Sequence, residues 1–241
     1  MLDVPRYTIV ADPASMRWEH YQRDLQQFWR DRGCEPLVHI VPWGDLIDGD
    51  GDVARLKKWD ECSILRIESP ARDFTLVRKL MQAGVRSEGR VPDDWQPPAD
   101  REGWIASPRL MYRGLCHVLS GLASTAGENL LFSASADDIC LAYDKNGTAD
   151  RLRDSGLPTP ESFHPTGTAE SLIEHMKNER QWEEAFVKLA YGSCASGIAV
   201  VKPRYYQPHA TTSVAQIDRR YHNSYQLREI SAQDVIDLLD F

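Results

Sequence analysis

Lys188 stands near the head of a small-residue run, in the stretch Phe186 to Lys202, FVKLAYGSCASGIAVVK. A lysine in an apolar strand context is costly if buried unpaired and becomes tolerable when an anion neutralises it. Gly192, Ser193, Ser196 and Gly197 follow it. Small residues let backbone amides approach phosphate oxygens, and serines add hydroxyl donors. The stretch therefore reads either as a surface hairpin with a glycine turn or as a flap over phosphates. It is not a P-loop, because GxxxxGK[ST] places the lysine after the glycines at a helix start. Here the lysine comes first and GIAVV continues as a strand. No GxGxxG follows the first strand, so the dinucleotide fingerprint is absent.

A second cluster is Arg66, Glu68 and Ser69, at the end of the strand Ser63–Ile67. Strand ends are where α/β sheets bind ligands. Arg66 could hold a carboxylate or phosphate, assisted by Ser69 and a helix N-terminus. Equally, Arg66–Glu68 or Glu68–Arg72 could be a plain ion pair beside an ordinary N-cap. Arg109 and Arg113, one helical turn apart, could face the same cleft but read better as a solvated face. The seven histidines form no HxH, HxxxH or HExxH pattern, so no histidine metal site is expected. No GxSxG occurs. Cys34, Cys62, Cys116, Cys140 and Cys194 are scattered, odd in number and never spaced CxxC. That pattern predicts reduced thiols and a cytoplasmic location.

The elements that must position these residues are legible in outline. The chain has 241 residues, 42% hydrophobic and 27% charged, enough for one large or two modest domains. A formal net charge of −8 disfavours nucleic acid as a partner. No apolar run is long enough to cross a membrane, and the N-terminus is not a secretory signal. YTIVA reads as a buried strand, residues 15–32 as a helix, EPLVHIVPW as a strand and WGDLIDGDGD as a polar connection. Ser69 and Pro70 look like the cap and first turn of a helix that ends at Gly84. Residues 86–108 read as an ordered excursion, with Trp95, Trp104 and Ile105 packing on something. A helix from Arg109 to about Ala123, the strand NLLFSA and a helix opened by Asp137 and Asp138 through Leu141 follow. Beyond a helix near 169–180 and the hairpin, SYQLREI reads as a strand and SAQDVIDLLD as a helix capped by Ser231. The front-half rhythm predicts a parallel α/β sheet.

The segment DKNGTADRLRDSGLPTPESF resembles part of the ATP-grasp superfamily, which includes D-alanine–D-alanine ligases and glutathione synthetases. There an Asp-Lys pair opens a helix ending in a G(I/V)PxP turn, and a second lysine lies on a strand before a small-residue loop. Asp144-Lys145, Gly156 to Pro160 and Val187-Lys188 occur here in that order, the lysines 43 positions apart (188 − 145). LRIESPARDF, SPRLMYRGLCHVL and YHNSYQLR resemble stretches of a bacterial branch of the superfamily that has no assigned reaction. The resemblance implies that Lys145 and Lys188 bind ATP phosphates, with Lys188 also near the adenine. It implies too that Gly192, Ser193, Ser196 and Gly197 close over the β- and γ-phosphates. Two cations and backbone amides would offset the polyphosphate charge. The loop departs from the usual glycine-richer pattern at Cys194-Ala195.

The expected fold class is thus α/β, with a parallel-sheet, pre-ATP-grasp-like domain over 1–142. The first, lysine-bearing α+β subdomain of an ATP-grasp module would follow over 143–241. The second ATP-grasp subdomain, with the carboxylates that hold Mg²⁺, is expected beyond Phe241, so the chain as given is expected to have weak or no ligase activity. The implied reaction is ATP-dependent carboxylate–amine ligation through an acyl phosphate. ATP and Mg²⁺ would be the cofactors and a small carboxylate, held by Arg66, Glu68 and Ser69, the substrate. The alternative is a non-catalytic nucleotide- or ligand-binding module. An unpaired sheet edge also predicts self-association.

Overall fold

The computed structural model describes residues 5–12, 16–52, 63–70, 73–88, 105, 107–126, 130–162, 169–192, 197–203, 209–217 and 220–230. The chain divides into two compact units, Met1–Asp100 with Arg109–Tyr143, and Arg101–Pro108 with Asp144–Phe241.

The first unit is built on β1 (Arg6–Ala11), β2 (Leu37–Pro42), β3 (Ile64–Ile67) and β4 (Leu131–Phe132). They form a parallel sheet in the order β2-β1-β3-β4. The central strand β1 is buried from Tyr7 to Ala11 because both faces are covered, hence its unbroken apolar run. One face, with Tyr7, Ile9 and Ala11, packs with Trp18, Tyr21, Leu25 and Trp29 of α1 (Met16–Arg30). By alternation Thr8, Val10 and Leu65 point to the other face. There the buried Thr8 hydroxyl meets Ser63 Oγ at 2.6 Å.

Several sequence expectations needed adjusting. WGDLIDGDGD is not simply a connection. Trp43–Asp48 forms a short helix, α2, which buries Trp43, Leu46 and Ile47. Three large apolar side chains outweigh the polar residues between them. Ser69 does not cap the next helix. That helix, α3, runs Phe74–Glu88, and Asp73 accepts from Thr75 N at 2.7 Å. Nor does Gly84 end it. Gly84 faces α4 (Pro108–Thr125), where Gly114 is its counterpart. A Cβ on Gly114 would sit 1.7 Å from Leu80 O, and one on Gly84 would sit 2.1 Å from Leu110 O. The glycines serve the crossing, not a helix end. Helix α5 (Ala136–Tyr143) is capped by Ser135, whose Oγ accepts from Asp138 N while Asp138 Oδ2 accepts the serine hydroxyl.

The second unit carries α6 (Lys145–Asp154), α7 (Ala169–His175) running into a π-helical turn, Met176–Arg180, and four strands. These are β5 (Ala185–Val187), β6 (Ala199–Lys202), β7 (His209–Ile217) and β8 (Arg220–Ile230), antiparallel in the order β5-β6-β7-β8. β7 went unread in the sequence, and β8 is longer than SYQLREI. Leu172, Ile173 and Met176 pack on one sheet face, with Ala185, Val187, Val201, Ala210 and Ile230. Gly156 and Leu157 close α6 by donating to Arg153 O and Leu152 O. Ile105, from the excursion, is buried and donates its N–H to Tyr221 O at 2.9 Å. Trp95, Trp104 and SAQDVIDLLD lie outside the described residues.

Candidate functional site

The hairpin is real: β5 and β6 pair with Phe186 opposite Val200. Lys188 follows β5 directly and is exposed, as a surface hairpin would have it, and is not the buried mid-strand lysine from which the phosphate flap is argued. Its Nζ lies 5.9 Å from the centre of the exposed Phe186 ring. Register puts Phe186, Val200, Thr211 and Glu229 in one row on the face turned away from α7, with Lys202 opposite His209 on the same face. That face is where a flat apolar ring and an anion could both be met, by Phe186 and by lysines. Phe186, Lys202 and His209 escaped the sequence reading. The strand period around Lys188 was the available signal, but it became informative only once β7 had been placed beside β6.

Lys145 comes from the other side of this hairpin root. Asp144 caps α6, its Oδ1 accepting from Asn146 N at 3.1 Å and Gly147 N at 3.0 Å. Asp144 also pairs with Tyr191 in an isolated antiparallel bridge, and Lys145 N donates to Ala190 O at 3.0 Å. The Lys145 ammonium donates to Leu189 O at 2.9 Å and Gly192 O at 3.0 Å. Burial pushes its pKa below the ordinary lysine value, the Lys188 charge pushes it further, and Asp144 opposes both. Two lysines distant in sequence are thus brought within electrostatic reach of each other.

Gly192 and Gly197 bound the loop, with φ of 114° and 68°. Both angles favour glycine. At Gly197 a Cβ would also come within 2.6 Å of the Leu189 side chain. Ser193, Cys194 and Ser196 lie outside the described residues, as does Cys62, while Cys34, Cys116 and Cys140 are free thiols. A hydrogen bond with Cys116, together with burial, pushes the Cys140 thiol pKa up, which makes it a poor nucleophile.

In the first unit, Arg66 and Glu68 lie at the carboxyl end of β3. The chain leaves β1 for β2 on one side and returns to β3 on the other, so the switch point of the sheet falls between β1 and β3. Arg66 Nε donates to Glu68 Oε1 at 2.5 Å, and its guanidinium lies 4.0 Å from the centre of the Tyr21 ring. Burial raises the Tyr21 pKa, against a lowering by Arg66. Ser69 Oγ meets Tyr143 OH at 2.6 Å, and Glu68 O accepts from Trp43 Nε1 at 2.8 Å. The ion pair foreseen as an alternative has formed, with Tyr21 against its guanidinium; Tyr143 holds Ser69 and Trp43 holds the Glu68 carbonyl, all three unforeseen. Arg109 and Arg113 are exposed and sit 3.2 and 3.6 Å from Glu88.

Among the described residues no donor set fits magnesium. Asp144, the carboxylate beside the lysines, is engaged by the α6 cap. Among the described residues there is no cluster of three His, Cys, Asp or Glu side chains that could hold a metal ion. Among them, too, no helix is long and apolar enough to cross a membrane. No protein-family model, curated protein or solved structure matches the chain.

Proposed function

We propose that this chain binds ATP in the manner of the ATP-grasp superfamily, on the second unit, and belongs to a carboxylate–amine ligase. The observation that carries the reading is that the Lys145 ammonium reaches the carbonyls of Leu189, the neighbour of Lys188, and Gly192, at the root of a hairpin loop bounded by two glycines at positive φ. The half-buried Lys145 ammonium is repelled by the exposed Lys188 charge, and a polyphosphate would attract both. Lys188 and Lys145 would bind phosphate oxygens, with Phe186 beside Lys188 available to the base. Gly192, Ser193, Ser196 and Gly197 would supply the loop's phosphate contacts.

The chemistry supported by the sequence resemblance is acyl activation. A substrate carboxylate oxygen attacks the γ-phosphorus of ATP and ADP departs. An amine then attacks the acyl carbon, phosphate leaves and the nitrogen loses a proton. Arg66, Glu68 and Ser69 are assigned to the small carboxylate substrate. Arg66 would exchange part of its pairing with Glu68 for the substrate anion. Cytoplasmic location and self-association through a sheet edge belong to the same reading. No step is assigned to magnesium in the described residues.

Calorimetric titration with ATP, with and without Mg²⁺, tests the reading. Saturable binding that weakens at least tenfold in both Lys145→Ala and Lys188→Ala supports it. Absence of ATP binding, or affinity indifferent to both changes, refutes it. Binding without phosphate release in the presence of pooled amino acids would assign a nucleotide-binding module instead of a ligase.

A further inference from the structure

We propose that Lys145 is a positioning residue, whose ammonium ties the start of α6 to the carbonyls of Leu189 and Gly192 and so fixes the segment that carries Lys188 into the loop. Its consequence for ATP rests on the reading above, whereas the tie belongs to the protein without ligand. A backbone bridge and a side-chain tie converge on the segment. The Asp144–Tyr191 bridge, with its bond from Lys145 N to Ala190 O, lays the entry of α6 beside it. The lysine side chain then reaches carbonyls on either side of that pairing, at 2.9 and 3.0 Å. Gly192 has φ 114°, a conformation in which nothing but glycine sits easily, so its carbonyl direction needs an external restraint. The four-carbon lysine stem supplies one.

An ammonium has three donors. Among the described residues two are spent on the carbonyls, which leaves a third to offer an anion oxygen. An arriving phosphate therefore adds a partner to Lys145 without dissolving the tie. Lys188 is different: it is exposed and lies over Phe186, and among the described residues its ammonium makes no such tie. The two lysines thus divide the work. Lys188 presents charge, and Lys145 sets where the strand exit points while lending one donor.

Amide hydrogen exchange on the whole unliganded chain tests this. Lys145→Met keeps the stem and removes the donors. Exchange across 186–192 should quicken about tenfold or more, the loss of about 1.4 kcal/mol of local protection. Exchange across 74–88, in the other unit, should not change, and Lys188→Met should leave 186–192 unaltered. Equal acceleration in both variants, or none in Lys145→Met, overturns the proposal. Should Lys145→Met fail to fold, the wild-type protein still decides. NMR of ¹⁵N-labelled lysine should show Lys145 ammonium protons exchanging with water slowly and Lys188 protons rapidly, and similar rates would overturn the tie. ATP titration runs separately. Failure of ATP to bind the wild-type protein sinks the nucleotide reading and leaves the exchange result standing, whereas ATP binding with an indifferent Lys145→Met exchange pattern sinks the tie alone.

Discussion

Gly114→Ala puts the first unit's packing to a quantitative test. The new Cβ would stand 1.7 Å from Leu80 O and 2.9 Å from Gly84 N. Because both obstacles are backbone, no side chain can rotate out of the way. Helices α3 and α4 must part by at least 1.3 Å to bring the first contact out to 3.0 Å. Leu80, Met81, Leu115 and Leu119, all at 0–1% exposure, would lose close contact over that gap. A radial gap of about 0.5–1 Å already forfeits a quarter to a half of a dispersion well. Overpacking costs about 1–3 kcal/mol, and a backbone obstacle argues for the upper end. Alanine returns about 1 kcal/mol in helix propensity. The net expectation is a loss of about 2 kcal/mol, or a fall in Tm of about 4–8 °C. Thermal and urea denaturation against Ser120→Ala, an exposed change in the same helix, provides the comparison. A Gly114→Ala protein as stable as Ser120→Ala would refute the close crossing, since propensity alone favours alanine.

Other expectations concern the second unit. Thr212 is buried at the β7–β8 irregularity, where its hydroxyl donates to Ile198 O at 2.7 Å and accepts from Val214 N at 3.0 Å. Thr212→Val keeps the shape but orphans both groups, and equilibrium unfolding should show a loss of about 1–3 kcal/mol. Asp144→Ala removes the α6 cap and should cost about 1 kcal/mol by the same measurement. The variant should also lower the Lys145 pKa further, because Asp144 is the charge that raises it. NMR titration of the Lys145 Cε signal should give a value below 10.5, moving upward in Lys188→Met as a like charge disappears. The linkage has a definite sign. Between the lowered folded value and 10.5, the unfolded chain holds the Lys145 proton more tightly than the folded one. This group's contribution to stability therefore rises with pH through that window, while ATP affinity should fall over the same range. Unfolding free energies and ATP titrations measured across the window should diverge in this way.

Much of the architecture was legible because its signals are local. The apolar run of β1, the helical spacing of Trp18, Tyr21 and Leu25, and the Gly-Leu-Pro end of α6 each depend on neighbours a few residues away. Misreadings arose where a local rule met a distant partner. Gly84 looks like a helix stop until Gly114 is seen opposite it. Ser69 looks like a cap until Tyr143 takes its hydroxyl. The acidic and glycine residues of 43–52 hide a helix whose stability comes from burying Trp43, Leu46 and Ile47.

For the candidate site the division is similar. Residue types and spacings set the inventory: two lysines 43 positions apart, a glycine-bounded loop, and an Asp-Lys pair opening a helix. Tertiary structure decided what each member touches. It left Lys188 exposed beside Phe186, bound Lys145 to two carbonyls of the same hairpin, and set Arg66 between Glu68 and Tyr21. Residue type fixes how many donors and charges a side chain carries, but the partners are supplied by segments tens of residues away. Only the folded backbone brings them within reach.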